Sequence, residues 1–112
     1  MRRRLAVAVL VLGMITFVGR GVSWAEKTHL AEAIEHTQAA IDHGKAKHGD
    51  MLIEHAETAL KHAEAAQKEK ANTHTAAAIK GLQDATKQAK DGKADIATKA
   101  AEGALTHLKA VK

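Results

Sequence analysis

The chain has no cysteine, no proline and no tyrosine, and its only aromatic residues are Phe17 and Trp24. Without cysteine there can be no disulfide brace, no thiolate metal site and no lipoprotein anchor. Without proline nothing forces a break in a helical stretch. The single serine is Ser23. Both aromatics and that serine lie in the first 25 residues, and those residues read as a removable leader. Arg2, Arg3 and Arg4 open the chain, Leu5 to Val18 is an apolar run of fourteen residues, and Ser23-Trp24-Ala25 ends it. The run is too short to span a bilayer comfortably. Small residues at the −3 and −1 positions predict cleavage between Ala25 and Glu26, the pattern of a secretory signal peptide. An uncleaved N-terminal anchor is the alternative. The expected layout is a signal at 1–25 and one periplasmic domain at 26–112.

That leader also carries the excess of positive charge. Four of the seventeen basic residues, Arg2, Arg3, Arg4 and Arg20, belong to it, while all thirteen acidic residues follow it. The remaining chain balances thirteen positive against thirteen negative charges. Nucleic acid binding therefore lacks its electrostatic driving force, and no Phe, Tyr or Trp is left on which a base could stack. With neither Ser nor Cys after the leader, an enzyme built on those nucleophiles is excluded, and the sequence reads as a non-enzyme. After cleavage no membrane partner is expected.

What the chain does have is alanine, lysine, glutamate and glutamine, all good helix formers. Four amphipathic segments follow one another, at roughly 27–43, 50–67, 72–90 and 94–111. Leu30, Ala33, Ile34, Thr37, Ala40 and Ile41 form the first apolar stripe. Leu52, Ile53, Ala56, Ala59, Leu60 and Ala63 form the second. Ala76, Ile79, Leu82, Ala85 and Ala89 give the third, and Ile96, Ala97, Ala100, Ala104, Leu108 and Val111 the fourth. Gly44 suits a helix C′ position, Asp50 and Asn72 suit N-caps, and Asp91-Gly92 marks a turn. The polar patch Gln67 to Ala71 has no glycine, so one long helix through Lys68-Glu69-Lys70 is the alternative there. Helices of similar length with short connections predict an all-α, up-down-up-down antiparallel four-helix bundle. A core so rich in alanine forgoes about 0.8 kcal/mol for every CH₂ that leucine would have buried. A bound metal is a natural supplement.

Eight histidines stand out against this background. Six fall in two runs with a step of seven: His29, His36, His43, and His48, His55, His62. The runs mirror each other about a point between Lys45 and Ala46. His74 and His107 are mirrored in the same way about a point between Lys90 and Asp91, which suggests a duplicated His-bearing hairpin. A step of seven returns to nearly the same helix face, with a drift of about 20°. Within one run the rise between neighbours is about 10.5 Å, too far for two nitrogens that each lie roughly 2 Å from one ion. Chelation must therefore come across a hairpin, as His29 with His62, His36 with His55 and His43 with His48, or from a carboxylate one turn away. Glu32 is such a carboxylate for both His29 and His36. Glu35, Asp42 and Glu54 point elsewhere and serve to attract cations. The end away from both turns would gather His29, His62, His74 and His107. Both rows flank their apolar stripes on the same rotational side, so they either converge on the groove or diverge from it, according to the hand of the hairpin.

Imidazole with occasional carboxylate suits Cu(II), Ni(II), Zn(II) and Co(II), and the Irving–Williams order places Cu(II) first. Cu(I) prefers sulfur, and only Met51 offers it after the leader. The units Ile-Glu-His, Ile-Asp-His, Ile-Glu-His and Leu-Lys-His, ending at His36, His43, His55 and His62, resemble those of the small metal-binding protein family. Its members are short, His-rich periplasmic four-helix bundles. The resemblance implies binding of copper and other divalent metals, and a role in copper handling. The second half departs from an evenly His-rich pattern, since only His74 and His107 remain there. The expected protein is a monomer that sequesters metal, with metal-bridged oligomers as an alternative state. A different reading is a structural or chaperone-like amphipathic helical protein whose histidines sense pH.

Overall fold

The computed structural model describes residues 28–112, so the predicted leader lies outside the described residues. Four helices follow in order: α1 (His29–Lys45), α2 (Gly49–Glu69), α3 (Thr73–Lys90) and α4 (Ala94–Ala110). Each packs on the next and α4 returns to α1, while the diagonal pairs barely touch. This is the expected four-helix bundle. Among the described residues no helix is long and apolar enough to cross a membrane.

Capping chemistry sets the starts of α1 and α3. The Thr28 hydroxyl accepts the Ala31 N–H at 3.0 Å, and the Asn72 side chain accepts the His74 N–H at 2.7 Å. Both satisfy amide donors that have no partner inside the helix. Asn72 also ends the possibility of one long helix, because Lys70 and Asn72 are both extended, at φ −154° and −153°. The chain is pinned there by the Gln67 side chain, which accepts the Asn72 N–H at 3.0 Å. Asp50 is not a cap. The residue before α2 is His48, which makes no side-chain cap bond, and Asp50 sits in the first turn, where its charge suits the helix dipole.

The two turns are copies of one another. In the first, His48 N–H reaches His43 C=O at 2.8 Å and Lys47 N–H reaches Gly44 C=O at 3.0 Å. In the second, Lys93 N–H reaches Gln88 C=O at 2.8 Å and Gly92 N–H reaches Ala89 C=O at 3.0 Å. Both are Schellman motifs, which need a left-handed residue just past the helix. Gly92 supplies it at φ 80°, but in the first turn Lys47 does so at φ 65°. Gly44 is therefore not the C′ residue. It lies inside α1, where a Cβ would stand 2.0 Å from Thr98 Oγ1 and 2.8 Å from Leu52 Cδ1. Its role is to let α1 approach α4 and the start of α2.

The core is thin. Of the sixteen buried hydrophobic residues among those described, eleven are alanine and five are Ile41, Leu52, Leu82, Leu105 and Leu108. Small side chains draw the helices close, so four threonines can be buried among them. Thr37, Thr86 and Thr98 donate their hydroxyls to the carbonyls of Ala33, Leu82 and Ala94, one turn back. The expected stripes hold for α1 and α2. On α3 the buried face shifts to include Thr75, Ala78 and Thr86, and Ala76 is only half-buried. On α4 it is Ala97, Thr98, Ala101, Ala104, Leu105 and Leu108, and Ile96 is 50% exposed. Ile96 stands about 100° from Ala97 around the helix. Alanines on several sides of α4 gave the sequence too little contrast to fix its rotation.

The hairpins meet through matched ion pairs. Lys45 reaches Glu102 at 3.7 Å and Lys90 reaches Glu57 at 3.1 Å. Residues 45 and 90 occupy the same place in the two hairpins, as do 57 and 102, His29 and His74, and His62 and His107. The two contacts therefore exchange under a local twofold, as expected of a duplicated hairpin.

Candidate metal centre

The hand of the first hairpin turns its two histidine rows toward each other. His29 Nδ1 lies 3.0 Å from His62 Nδ1, and His36 Nδ1 lies 3.3 Å from His55 Nδ1. In the second hairpin His74 Nδ1 and His107 Nδ1 are 3.1 Å apart. Without an ion, one ring of each pair can donate Nδ1–H to the lone pair of the other. The same spacing suits chelation. Two nitrogens each about 2.0–2.1 Å from one ion are about 2.9 Å apart at a right angle and about 3.3 Å at the tetrahedral angle. His43 and His48 face each other with ring centroids 5.8 Å apart. This rung is looser because His48 belongs to the turn and not to α2.

The rungs are not separate units. Ring centroids of His62 and His36 lie 5.9 Å apart, and those of His55 and His43 lie 5.2 Å apart, each pair within 7° of parallel. The rungs themselves measure 5.3 Å for His29–His62 and 5.5 Å for His36–His55. A diagonal is thus as close as a rung. The six rings form one column, crossing between α1 and α2 in the order His29, His62, His36, His55, His43, His48. All are half-buried except His48, which is exposed, as is His74 on the other hairpin.

Two carboxylates join the column. Glu32 lies 3.9 Å from His36 Nε2 within α1, and Glu69 lies 3.8 Å from His29 Nε2 across the hairpin. With Nδ1 facing the partner ring, each carboxylate meets the outer nitrogen, where it can hold an N–H and fix the tautomer. Glu32, His36 and His62 also form the one group of three candidate donors whose ligand atoms all lie within 4.8 Å, among the described residues. Glu32 thus meets its expected neighbour His36, but the third member is His62, on a diagonal. The gathering of His29, His62, His74 and His107 is absent from that set; the two pairs stay with their own hairpins. Glu69 was not anticipated, though it stands seven residues after His62 and continues the register of the run.

The second hairpin keeps one rung. The places of His36 and His55 are taken by Gly81 and Ala100, and those of His43 and His48 by Gln88 and Lys93. A Cβ on Gly81 would stand 3.1 Å from Ala104 Cβ and 3.3 Å from the Ala100 carbonyl oxygen. Loss of the middle rung goes with a close approach of α3 to α4.

A small alanine-cored bundle with paired imidazoles and carboxylates along one groove belongs to the class of helical metal-binding proteins. The model of the family described as small metal-binding protein matches residues 3–111. The chain belongs to that family, and membership implies metal binding. No curated protein matches the chain.

Proposed function

We propose that the protein sequesters and buffers divalent metal in the periplasm, copper(II) first, with Ni(II), Zn(II) and Co(II) as weaker cargo. The observation that carries this reading is the approach of imidazole nitrogens to 3.0–3.3 Å in three cross-helix pairs. All eight histidines, His29, His36, His43, His48, His55, His62, His74 and His107, serve as ligands, with Glu32 as the carboxylate donor. The donors are nitrogen and oxygen, which favours Cu(II) over the other divalent ions. Open, half-buried pairs suit exchangeable storage; catalysis needs a more enclosed site. The role is binding, the working state is a monomer, and the periplasmic address rests on the leader pattern of residues 1–25.

Calorimetric titration of the chain from Glu26 onward with Cu(II) tests the reading. Several equivalents bind, imidazole–copper spectra appear, and binding weakens as protons compete for the ligand nitrogens. Binding no tighter than that of a histidine-free variant of the same helices overturns it. The pH-sensing reading gains instead if helicity changes between about pH 5 and 7 in excess chelator, in a histidine-dependent way.

A further inference from the structure

The six-ring column holds more than three separate sites, because every inner imidazole is a member of two pairs. His62 belongs to a rung with His29 and a diagonal with His36. His36 pairs with both His62 and His55, His55 with both His36 and His43, and His43 with both His55 and His48. The five successive ring separations all lie between 5.2 and 5.9 Å, so the spacing between sites matches the spacing within one to a few tenths of an ångström. The group of three donors, Glu32, His36 and His62, bridges the first rung to the second. An ion leaving His29–His62 for His36–His55 would therefore find its richest ligand set at the crossing.

From this we infer that the column is a metal relay: a divalent ion moves along the groove between α1 and α2 by exchanging one imidazole at a time, without release to solvent. The inference rests on the metal-binding reading above. Each step forms one metal–nitrogen bond and breaks one. At the first step the His36 lone pair enters while His29 leaves with its own lone pair, and His62 keeps hold throughout. Both rings are neutral, each with its proton on the outer nitrogen, so no net proton moves and the ion keeps its oxidation state. Three more exchanges bring the ion to His43–His48 at the turn. Glu69 marks the opposite end, beside His29. The second hairpin is a built-in contrast, because Gly81, Gln88, Lys93 and Ala100 leave His74–His107 with no neighbouring ring on its own hairpin.

One missing ring should stop the traffic. Without His55, the gap from His36 to His43 is seven residues, or about 10.5 Å of rise, too long for one ion to bridge. The experiment is exchange NMR on the chain from Glu26 onward carrying one equivalent of Zn(II), a diamagnetic probe for the same donors. The expected result is interconversion between the two end-loaded states at a rate independent of protein concentration. That rate exceeds zinc dissociation, measured by chelator stripping, at least tenfold. His55→Gln, which keeps the bulk of the ring, lowers it at least tenfold toward the dissociation rate, while His29–His62 still binds. His36→Ala with His55→Ala does the same and places at 55 the alanine that the second hairpin carries at 100. End-to-end exchange no faster than dissociation in the parent, or equally fast in His55→Gln, overturns the relay and leaves metal binding standing. Zn(II) that shifts none of the eight histidine signals overturns the binding reading itself.

Discussion

Gly44→Ala is the substitution that most directly tests how the bundle holds its first turn. In an open helix this change would stabilise the protein by about 0.8–1.0 kcal/mol, from helix propensity. Here the new Cβ would stand 2.0 Å from Thr98 Oγ1, 2.8 Å from Leu52 Cδ1 and 3.1 Å from Thr98 Cβ. Thr98 cannot simply swing away, because its hydroxyl donates to Ala94 C=O at 2.7 Å. The Leu52 tip can move, but Leu52 is fully buried and has little free space. Overpacking of this kind costs about 1–3 kcal/mol. The propensity gain offsets part of it, leaving a net loss of about 0–2 kcal/mol. For a domain of this size about 1 kcal/mol shifts the melting temperature by roughly 4–8 °C. Thermal unfolding followed by circular dichroism should show that fall. Thr98→Ala removes the 2.0 Å clash, so the Gly44→Ala/Thr98→Ala pair should recover at least about 1 kcal/mol of coupling in a double-mutant cycle. A variant Gly44→Ala that melts higher than the parent would mean that α1 does not approach α4 as described, and the reasoning fails. The displacement also reaches the site, because His43 precedes Gly44 and its rung is the first to loosen.

Lys47→Gly should act in the opposite sense. It relieves a left-handed conformation that costs about 1–2 kcal/mol for a residue with a Cβ. Greater freedom of glycine in the unfolded chain returns about 0.4–1 kcal/mol of that, so a rise of a few degrees in melting temperature is expected. An unchanged or lower value counts against the strained turn. The same substitution frees Asp95, whose carboxyl is held below its ordinary value of 3.8, first by a hydrogen bond from the Lys47 ammonium and then by its charge. A carboxyl lowered on folding contributes stability above its unfolded pKa and loses it as pH falls through the folded pKa. Asp95→Asn should therefore match the parent in strong acid and fall slightly behind above about pH 4. A gap that widens toward acid would reverse the sign and refute the assignment. Metal should stabilise the fold: Cu(II) at 100 times Kd adds about 2.7 kcal/mol per occupied site, and chelator should reverse it. Copper that binds with no change in the melting curve would show that it does not tie α1 to α2.

Much of this arrangement was legible in residue spacing. The seven-residue step and the two mirror points are enough to pair the histidines of every rung. Helix starts at Thr28 and Asn72 follow local chemistry, and Asn72 is itself written in the sequence. Features that depend on distance between helices were harder to read. Gly44 looks like a helix terminator, and only its distance to Thr98 reveals it as a contact residue. Ile96 looks like core because alanine on neighbouring faces makes the rotation of α4 nearly free of contrast. The two histidine rows could have converged or diverged, since helical angles alone do not carry the hand of a hairpin. The diagonals escaped for a related reason. A heptad count treats rungs as independent levels, whereas the closeness of alanine-packed helices brings successive levels within one ring's reach.

Gly81 has a consequence for how such a protein can change. The bundle is two versions of one hairpin, and only the first carries the full column. Replacing a lost histidine sounds like a single reversal, but at this place the helices have closed over the gap. A Cβ at 81 already meets Ala104 and the Ala100 carbonyl at 3.1 and 3.3 Å, so an imidazole could return only if α3 and α4 parted. The second hairpin is thus held shut at its middle level, and a side chain larger than glycine at 81 requires its two helices to separate. New capacity would have to begin at Gln88 and Lys93, where the turn leaves both positions open to solvent or nearly so. A second column would then grow inward from the loop and stop one level short.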